Sequence, residues 1–400
     1  MALGLKVGIV SIYWMPHFGG GEKYVYNMAN GLSSLGIDIK GITPTAVSDS
    51  RDNGHDDLVV RLGEPTQIKD FIGMRKWFDN HALPHIIEEG YDIILLNNCR
   101  IHYHYILDFV NLLKRNAIKC GIVHHDLGWK IINTSFENYS GDWEQSSIET
   151  LKHIKELSNA FNKSPLVSYK DLLHNLDSPV YFEPDFIIGN TEWSNKFIDI
   201  EETIPKYVLH PIIEKPPLDY PLLEPVNITM LNPLYHKGRS YMVDLINDYD
   251  HKWTYRVLMG SYGNGKEKED FMGMIKDSWA MRDGRIEIID YVDNIYSAFA
   301  STDIFIFPSR YEGYGMAAIE PMMIGTPVIV QDYPPIIEAV GDGAYIIKWG
   351  SSSNEWIEAV EEILFDSQEF EHKSLKRGEF VVSRQEEELK GLVQFFEGLL

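Results

Sequence analysis

The sequence predicts two parallel α/β domains joined by a short linker. Short β-branched runs alternate with segments of helical apolar spacing along the 400 residues. The alternation breaks once, where Pro211, Pro216, Pro217, Pro221 and Pro225 fall within fifteen residues, and then restarts. The length also suits two cores of ~100–200 residues better than one. Strands separated by helices build parallel sheets, because a parallel neighbour needs a crossover.

The first half opens on a strand at 6–12, followed by apolar positions at helical spacing over 22–35 and a stop near Gly36. Further strands are read at 91–96, 119–123 and 186–189, the last leading into a helix capped by Thr191. Proline fixes φ and removes a donor, so 211–221 reads as linker. The second half repeats the pattern with strands at 227–231, 255–259, 286–289, 304–307, 326–330 and 344–347. An amphipathic helix is read over about 385–400, with Glu386, Glu387 and Glu388 in its first turn, where acid complements the macrodipole. The expected domains are therefore 1–210, receiving the final helix, and 222–382.

Composition excludes several classes. Apolar residues make up 44% and charged residues 24%, as in ordinary globular chains. No run approaches the ~18–20 apolar residues of a membrane helix. Residues Met1–Lys6 lead into a strand without the basic-then-apolar pattern of a secretory leader. Two cysteines, Cys99 and Cys120, make no disulfide framework. A cytoplasmic protein is the expectation. The formal charge is −23, divided as −8 over residues 1–210 and −15 over 211–400. Such a chain is a poor partner for nucleic acid, and peripheral membrane contact is not predicted. A phosphate would have to be held by a few placed groups and backbone amides. Oligomeric state is not legible.

The most informative window is Pro308-Ser309-Arg310-Tyr311-Glu312-Gly313-Tyr314-Gly315-Met316-Ala317-Ala318-Ile319-Glu320. A strand ends at Phe307, a glycine-containing loop follows, and a helix begins near Met316. Loop glycines admit a ligand close to backbone, and amides at a helix start suit an anion. Glu320, about one turn in, has the carboxylate to accept both hydrogens of a vicinal diol such as a ribose. Glu312 could reach a second polyol. Spacing alone leaves an ordinary βα turn with surface glutamates equally open.

Glu312 and Glu320, eight apart, resemble the E-x7-E motif of the retaining enzymes of glycosyltransferase family 4, which have the GT-B fold. The likeness runs through Pro308-Ser309, Glu312-Gly313-Tyr314-Gly315, Glu320-Pro321 and Gly325-Thr326-Pro327-Val328-Ile329. It implies two Rossmann-like domains facing a central cleft, the first binding acceptor and the second a UDP- or GDP-linked sugar. It further implies that Glu320 holds the ribose hydroxyls, and that Glu312 with the amides of Tyr314, Gly315 and Met316 contacts donor sugar and diphosphate. Pro321 should kink its helix.

The resemblance covers most of the chain. Gly19-Gly20-Gly21-Glu22 is similar to the family's glycine loop beside the donor phosphates, and glycines before a helix permit that approach in any case. A lone glycine-rich loop is a weak signal, shared with dinucleotide-binding folds. In His124-His125-Asp126, at a strand end, His125 takes the family position that reaches the donor sugar; a metal site or a structural histidine is the alternative. No zinc-like ligand spacing accompanies it. Lys237-Gly238 resembles the lysine of the family's diphosphate clamp. The clamp's arginine would fall on Asn232 or Leu231, so Arg239 or Arg310 is the candidate replacement. Val292, within 289–292, matches the segment whose backbone meets the nucleobase. Asp248-Tyr249-Asp250 reads as surface charge and 260–266 as a flexible loop. Tyr13, Trp14, His17 and Phe18 are candidate acceptor contacts, and 127–165, with Trp129 and Trp143, a candidate acceptor cleft.

The expected activity is glycosyl transfer to a hydroxyl of a glycan, lipid-linked or small-molecule acceptor, with retention. His125, Lys237 and Glu312 carry the chemistry, and neither metal nor cofactor is expected. In the family's front-face scheme the leaving phosphate takes the acceptor proton, so no protein base is needed. The alternatives are a non-catalytic nucleotide-sugar-binding protein, or another GT-B activity such as a sugar-nucleotide epimerase or a phosphorylase.

Overall fold

The computed structural model describes residues 4–11, 14, 20–45, 57–63, 76–97, 110–125, 184–196, 203–234, 237–248, 250–260, 265–309 and 312–400. These divide into two compact units: 4–212 with Gln385–Leu400, and Ile213–Arg384. Each is a parallel α/β sandwich. No helix among the described residues is long and apolar enough to cross a membrane.

In the first unit, β1 (Lys6–Ser11), β2 (Asp38–Pro44), β3 (Val59–Leu62), β4 (Ile93–Asn97), β5 (Lys119–His124), β6 (Phe186–Gly189) and β7 (Lys206–Val208) form one sheet in the order β3-β2-β1-β4-β5-β6-β7. Side chains alternate between its faces. Val7, Ile9, Ile93 and Leu95 pack with Val25, Met28 and Leu32 of the helix Gly20–Ser34. Val10, Ile94, Leu96 and Ile122 pack on the other face with Phe78 and Ile86. Both faces are covered, so the strands read as continuous apolar runs.

Three of these strands, β2, β3 and β7, carry no clear signal in the sequence. Gly41 and Pro44 interrupt β2, and Gly41 is required there: a Cβ would stand 2.6 Å from the Trp14 indole. Trp14 is 2% exposed and belongs to the core, so it has no ring face to offer an acceptor. β3 and β7 are short edge strands, half-buried throughout.

The second unit holds β8 (Val226–Leu231), β9 (Tyr255–Leu258), β10 (Ile286–Ile289), β11 (Thr302–Phe307), β12 (Val328–Gln331) and β13 (Tyr345–Ile347), ordered β10-β9-β8-β11-β12-β13. Ile228, Met230, Val257, Ile304 and Ile306 form its core with Met242 and Leu245 of Arg239–Asn247 and Trp356 and Val360 of Ser353–Phe365. Arg256, mid-strand and fully buried, donates to the carbonyls of Glu224, Ala298 and Ser301 and pairs with Glu287 at 2.7 Å.

The helix read at 385–400 does not start there. It is the end of one 33-residue helix, Ser367–Leu399. Glu386, Glu387 and Glu388 therefore lie mid-helix, beyond reach of the terminal dipole. Glu386 pairs instead with Lys390 one turn on, at 2.6 Å. Glu388 accepts from the His210 amide at 3.1 Å and contacts His210 Nδ1 at 2.9 Å. Leu389, Leu392 and Phe396 join the first unit's core.

Asp248 and Asp250 form a turn. Asp248 caps Arg239–Asn247, accepts from the Asp250 amide at 3.0 Å and binds His251 Nδ1 at 2.6 Å. His251 Nε2 lies 2.9 Å from Glu361, and the ring stacks on Trp253 at 4.1 Å. Burial opposes protonation of this imidazole, but the hydrogen bonds to Asp248 and Glu361 outweigh it and raise its pKa above the ordinary 6.5. The folded state thus binds the proton more tightly than the unfolded chain. The stabilisation is complete below pH 6.5 and is lost as pH rises through the folded value. Thermal unfolding of wild type and His251→Gln at pH 5.5 and pH 9 should show a wild-type advantage that shrinks at the higher pH; an advantage that grows would contradict the bridge.

Candidate functional site

In open parallel sheets ligands bind beyond the strand C-termini, where the strand order reverses. In the second unit that point lies between β8 and β11. Lys237 follows β8, Glu312 follows β11, and the two side chains form an ion pair. Ser309 Oγ donates to the same carboxylate oxygen of Glu312 at 2.8 Å. Ser309 is fully buried, so its hydroxyl fixes the carboxylate from below.

Gly238 makes this meeting possible. It sits at φ 77°, and a Cβ there would stand 2.1 Å from the Pro308 carbonyl oxygen. Only a glycine satisfies both the backbone and the contact. Gly238 is also the N-cap of Arg239–Asn247, so Lys237 precedes the helix and Arg239 opens it.

Across the switch point, Gly315 (φ 93°) caps the helix Met316–Met322. Glu320 lies five residues into it. Pro321 is interior, and the helix stops one residue later rather than kinking onward. Tyr314 is buried, and its hydroxyl accepts from Arg384 Nη2 at 2.5 Å. Burial, and next the carboxylate of Glu320, push the Tyr296 phenol well above its ordinary pKa, which places Glu320 beside the helix Ile295–Phe299. Val292, half-buried, lies in the loop between β10 and that helix.

Asn232, one of the two positions on which the resemblance would put the clamp arginine, has a left-handed backbone at φ 53°. Its Oδ1 lies where a Cβ on Gly260 would come within 1.8 Å, and its amide donates to Leu258 at 2.7 Å. Asparagine tolerates that conformation better than arginine, so the turn after β8 explains the residue type.

In the first unit the strand order reverses between β1 and β4. Gly20 and Gly21 are the first residues of Gly20–Ser34, and Glu22 in that turn is buried. His125 directly follows β5 and is 8% exposed. Its Nε2 lies 2.5 Å from Asn97 Oδ1, while Asn97 Nδ2 donates to Ser11 Oγ at 3.0 Å. Asn97 Oδ1 is an acceptor, so Nε2 carries a proton in this contact. The Tyr24 ring packs edge-on against the imidazole at 5.0 Å. The residues 12–13, 15–19, 126–183 and 310–311 lie outside the described residues. The expectations for Tyr13, His17, Phe18, Gly19, Asp126, Trp129, Trp143 and Arg310 therefore lie there too.

The site residues that sequence reasoning missed are Ser309, Arg384, Asn97 and Ser11. Ser11 and Asn97 left a faint signal: each is the polar last residue of an apolar strand.

The family model for glycosyl transferases group 1 matches residues 234–379, and that for Glycosyltransferase Family 4 matches 18–156. Together they cover more than two thirds of the chain. The chain belongs to this GT-B glycosyltransferase family. The O-antigen biosynthesis glycosyltransferase WclY of Escherichia coli is 34% identical over 102 residues, which is 26% of this chain and 27% of that protein. The chain thus spans about a quarter of the length of the curated relatives it matches first. Among solved structures, sucrose-phosphate synthase of Thermosynechococcus elongatus superposes with a TM-score of 0.72 at 18% identity, covering 99% of both chains. Anabaena Alr3699/HepE in complex with UDP-glucose gives 0.67 at 13% identity, covering 99% of this chain and 100% of that one. These likenesses establish the GT-B fold.

Replacing Gly238 by alanine should cost ~2 kcal/mol or more, combining a left-handed Cβ with a backbone collision. Denaturant unfolding of Gly238→Ala checks this; wild-type stability would show that the approach to Pro308 is not obligatory.

Proposed function

We propose that this chain transfers a glycosyl group from a nucleoside diphosphate sugar to an acceptor hydroxyl, with retention at the anomeric carbon. The observation that carries this reading is the Lys237–Glu312 ion pair at the switch point of the second sheet. It sets a cation for a departing diphosphate beside a carboxylate for the sugar. In this reading Lys237 holds the diphosphate together with the amides of Tyr314, Gly315 and Met316 and the loop of Gly19, Gly20 and Gly21. Arg239, which opens the helix after Gly238, is the second cation of this reading. Glu320 takes the ribose diol, and backbone near Val292 meets the base.

Glu312 and His125 address the sugar. The bond from anomeric carbon to phosphate oxygen breaks as a bond to the acceptor oxygen forms on the same face. The departing phosphate oxygen takes the acceptor proton. The transition state is oxocarbenium-like, so positioning and fixed charge supply the catalysis. The scheme uses protein cations throughout, and chelation with EDTA should leave the rate unchanged.

A UDP-linked donor comes first, because HepE was crystallised with UDP-glucose; a GDP-linked donor is second. The O-antigen relative favours a glycan or lipid-linked acceptor. A second reading, nucleotide-sugar binding without turnover, draws on Leu231 and Asn232, the two positions where the resemblance implies an arginine. It predicts binding with no glycosylated product and no free diphosphate.

Thermal stability should be followed with UDP-, GDP-, ADP- and CMP-sugars on wild type and Glu320→Ala. A donor at 100 times its Kd adds ~2.7 kcal/mol. One nucleotide class should stabilise wild type and lose most of that effect in Glu320→Ala. Equal stabilisation of both proteins would remove Glu320 from the ribose site.

A further inference from the structure

Beyond Glu312, two of the three loop residues 313–315 are glycines, which leaves the Tyr314 side chain as the second hold on the loop. Its ring is 2% exposed, and the hydroxyl accepts from Arg384 Nη2 at 2.5 Å. Arg384 is the last residue of the second unit and lies on the helix Ser367–Leu399.

That helix is fastened to the same side of the unit at several points. Ser374 Oγ donates to the Thr326 carbonyl at 2.7 Å, just beyond the turn that ends the helix Met316–Met322. Arg377 donates to the carbonyls of Ala339 and Glu338, both at 2.7 Å. Both guanidinium groups lie over the Phe380 ring, that of Arg377 at 4.9 Å and that of Arg384 at 5.6 Å from its centroid. The same Arg384 guanidinium that lies over Phe380 reaches the Tyr314 hydroxyl. A guanidinium donating to a buried phenol oxygen is a charge-assisted bond, stronger than a neutral one.

We propose that Arg384 is a positioning residue of the donor site: through the Tyr314 hydroxyl it holds loop 312–315 in register with the Lys237–Glu312 pair. Arg384 itself touches no substrate. The inference rests on the donor reading above. Phenylalanine at 314 would keep the ring and remove the hydroxyl that Arg384 donates to.

A double-mutant cycle tests this, using Tyr314→Phe, Arg384→Met, the double variant and Arg384→Lys. Affinity for UDP, GDP and ADP is measured by calorimetry, and amide exchange across 312–318 is followed in the same proteins without nucleotide. Each single variant should weaken the nucleotide that binds wild type by about tenfold. The double variant should be no weaker than either single, and Arg384→Lys should recover part of the loss. Exchange across 312–318 should quicken in both single variants while protection in β8 and β11 stays unchanged. Wild-type affinity in both single variants, or losses that multiply in the double variant, would overturn the pairing. If wild type binds none of the three nucleotides, the donor reading fails on its own. The exchange rates then decide: unchanged protection of 312–318 in Arg384→Met overturns the positioning role, and faster exchange there supports it.

Discussion

A Cβ at position 238 would stand 2.1 Å from the Pro308 carbonyl oxygen. That approach of two backbones, one leaving β8 and one leaving β11, is what the candidate site depends on. It brings together Lys237 and Glu312, which are 75 residues apart in sequence. Gln331 Nε2 reaches the same Pro308 carbonyl at 3.3 Å and steadies it from β12. Ser309 then orients the carboxylate. A parallel sheet supplies the frame, because its order reverses between these strands and leaves the two loops diverging helices to start.

The first unit solves a similar problem with buried polar residues. Ser11, Asn97 and His125 stand at the ends of β1, β4 and β5, which are neighbours in the sheet. An amide that gives one hydrogen to a serine and takes one from an imidazole leaves little freedom to the ring. Burying three polar side chains among apolar strands is costly unless they satisfy one another. Here the chain of hydrogen bonds from Ser11 through Asn97 to His125 contributes to that, and it calls for a proton on Nε2 of the imidazole.

Much of this was legible in the sequence, for physical reasons that differ by element. Strands buried on both faces, such as Lys6–Ser11 and Thr302–Phe307, announce themselves as apolar runs. β2 does not, since Gly41 makes room for Trp14 and Pro44 ends the strand. The three glutamates at 386–388 imitate a helix start, but the helix has already run nineteen residues from Ser367. Glu312, Tyr314, Gly315 and Glu320 could be read because their chemistry is concentrated in one contiguous window. Ser309 sat in that window unassigned, because its role appears only when its partner's position is known. Arg384 and Tyr314 are 70 residues apart, and Asn97 and Ser11 are 86 apart. No local pattern announces such pairs.

The most direct measurement is a crystal structure of the chain with a bound nucleoside diphosphate. The account predicts the diphosphate beside Lys237 and the 312–316 backbone, with the Glu320 carboxylate on the ribose hydroxyls and the base near Val292. A nucleotide seated elsewhere, with the Lys237–Glu312 pair untouched, would contradict the site.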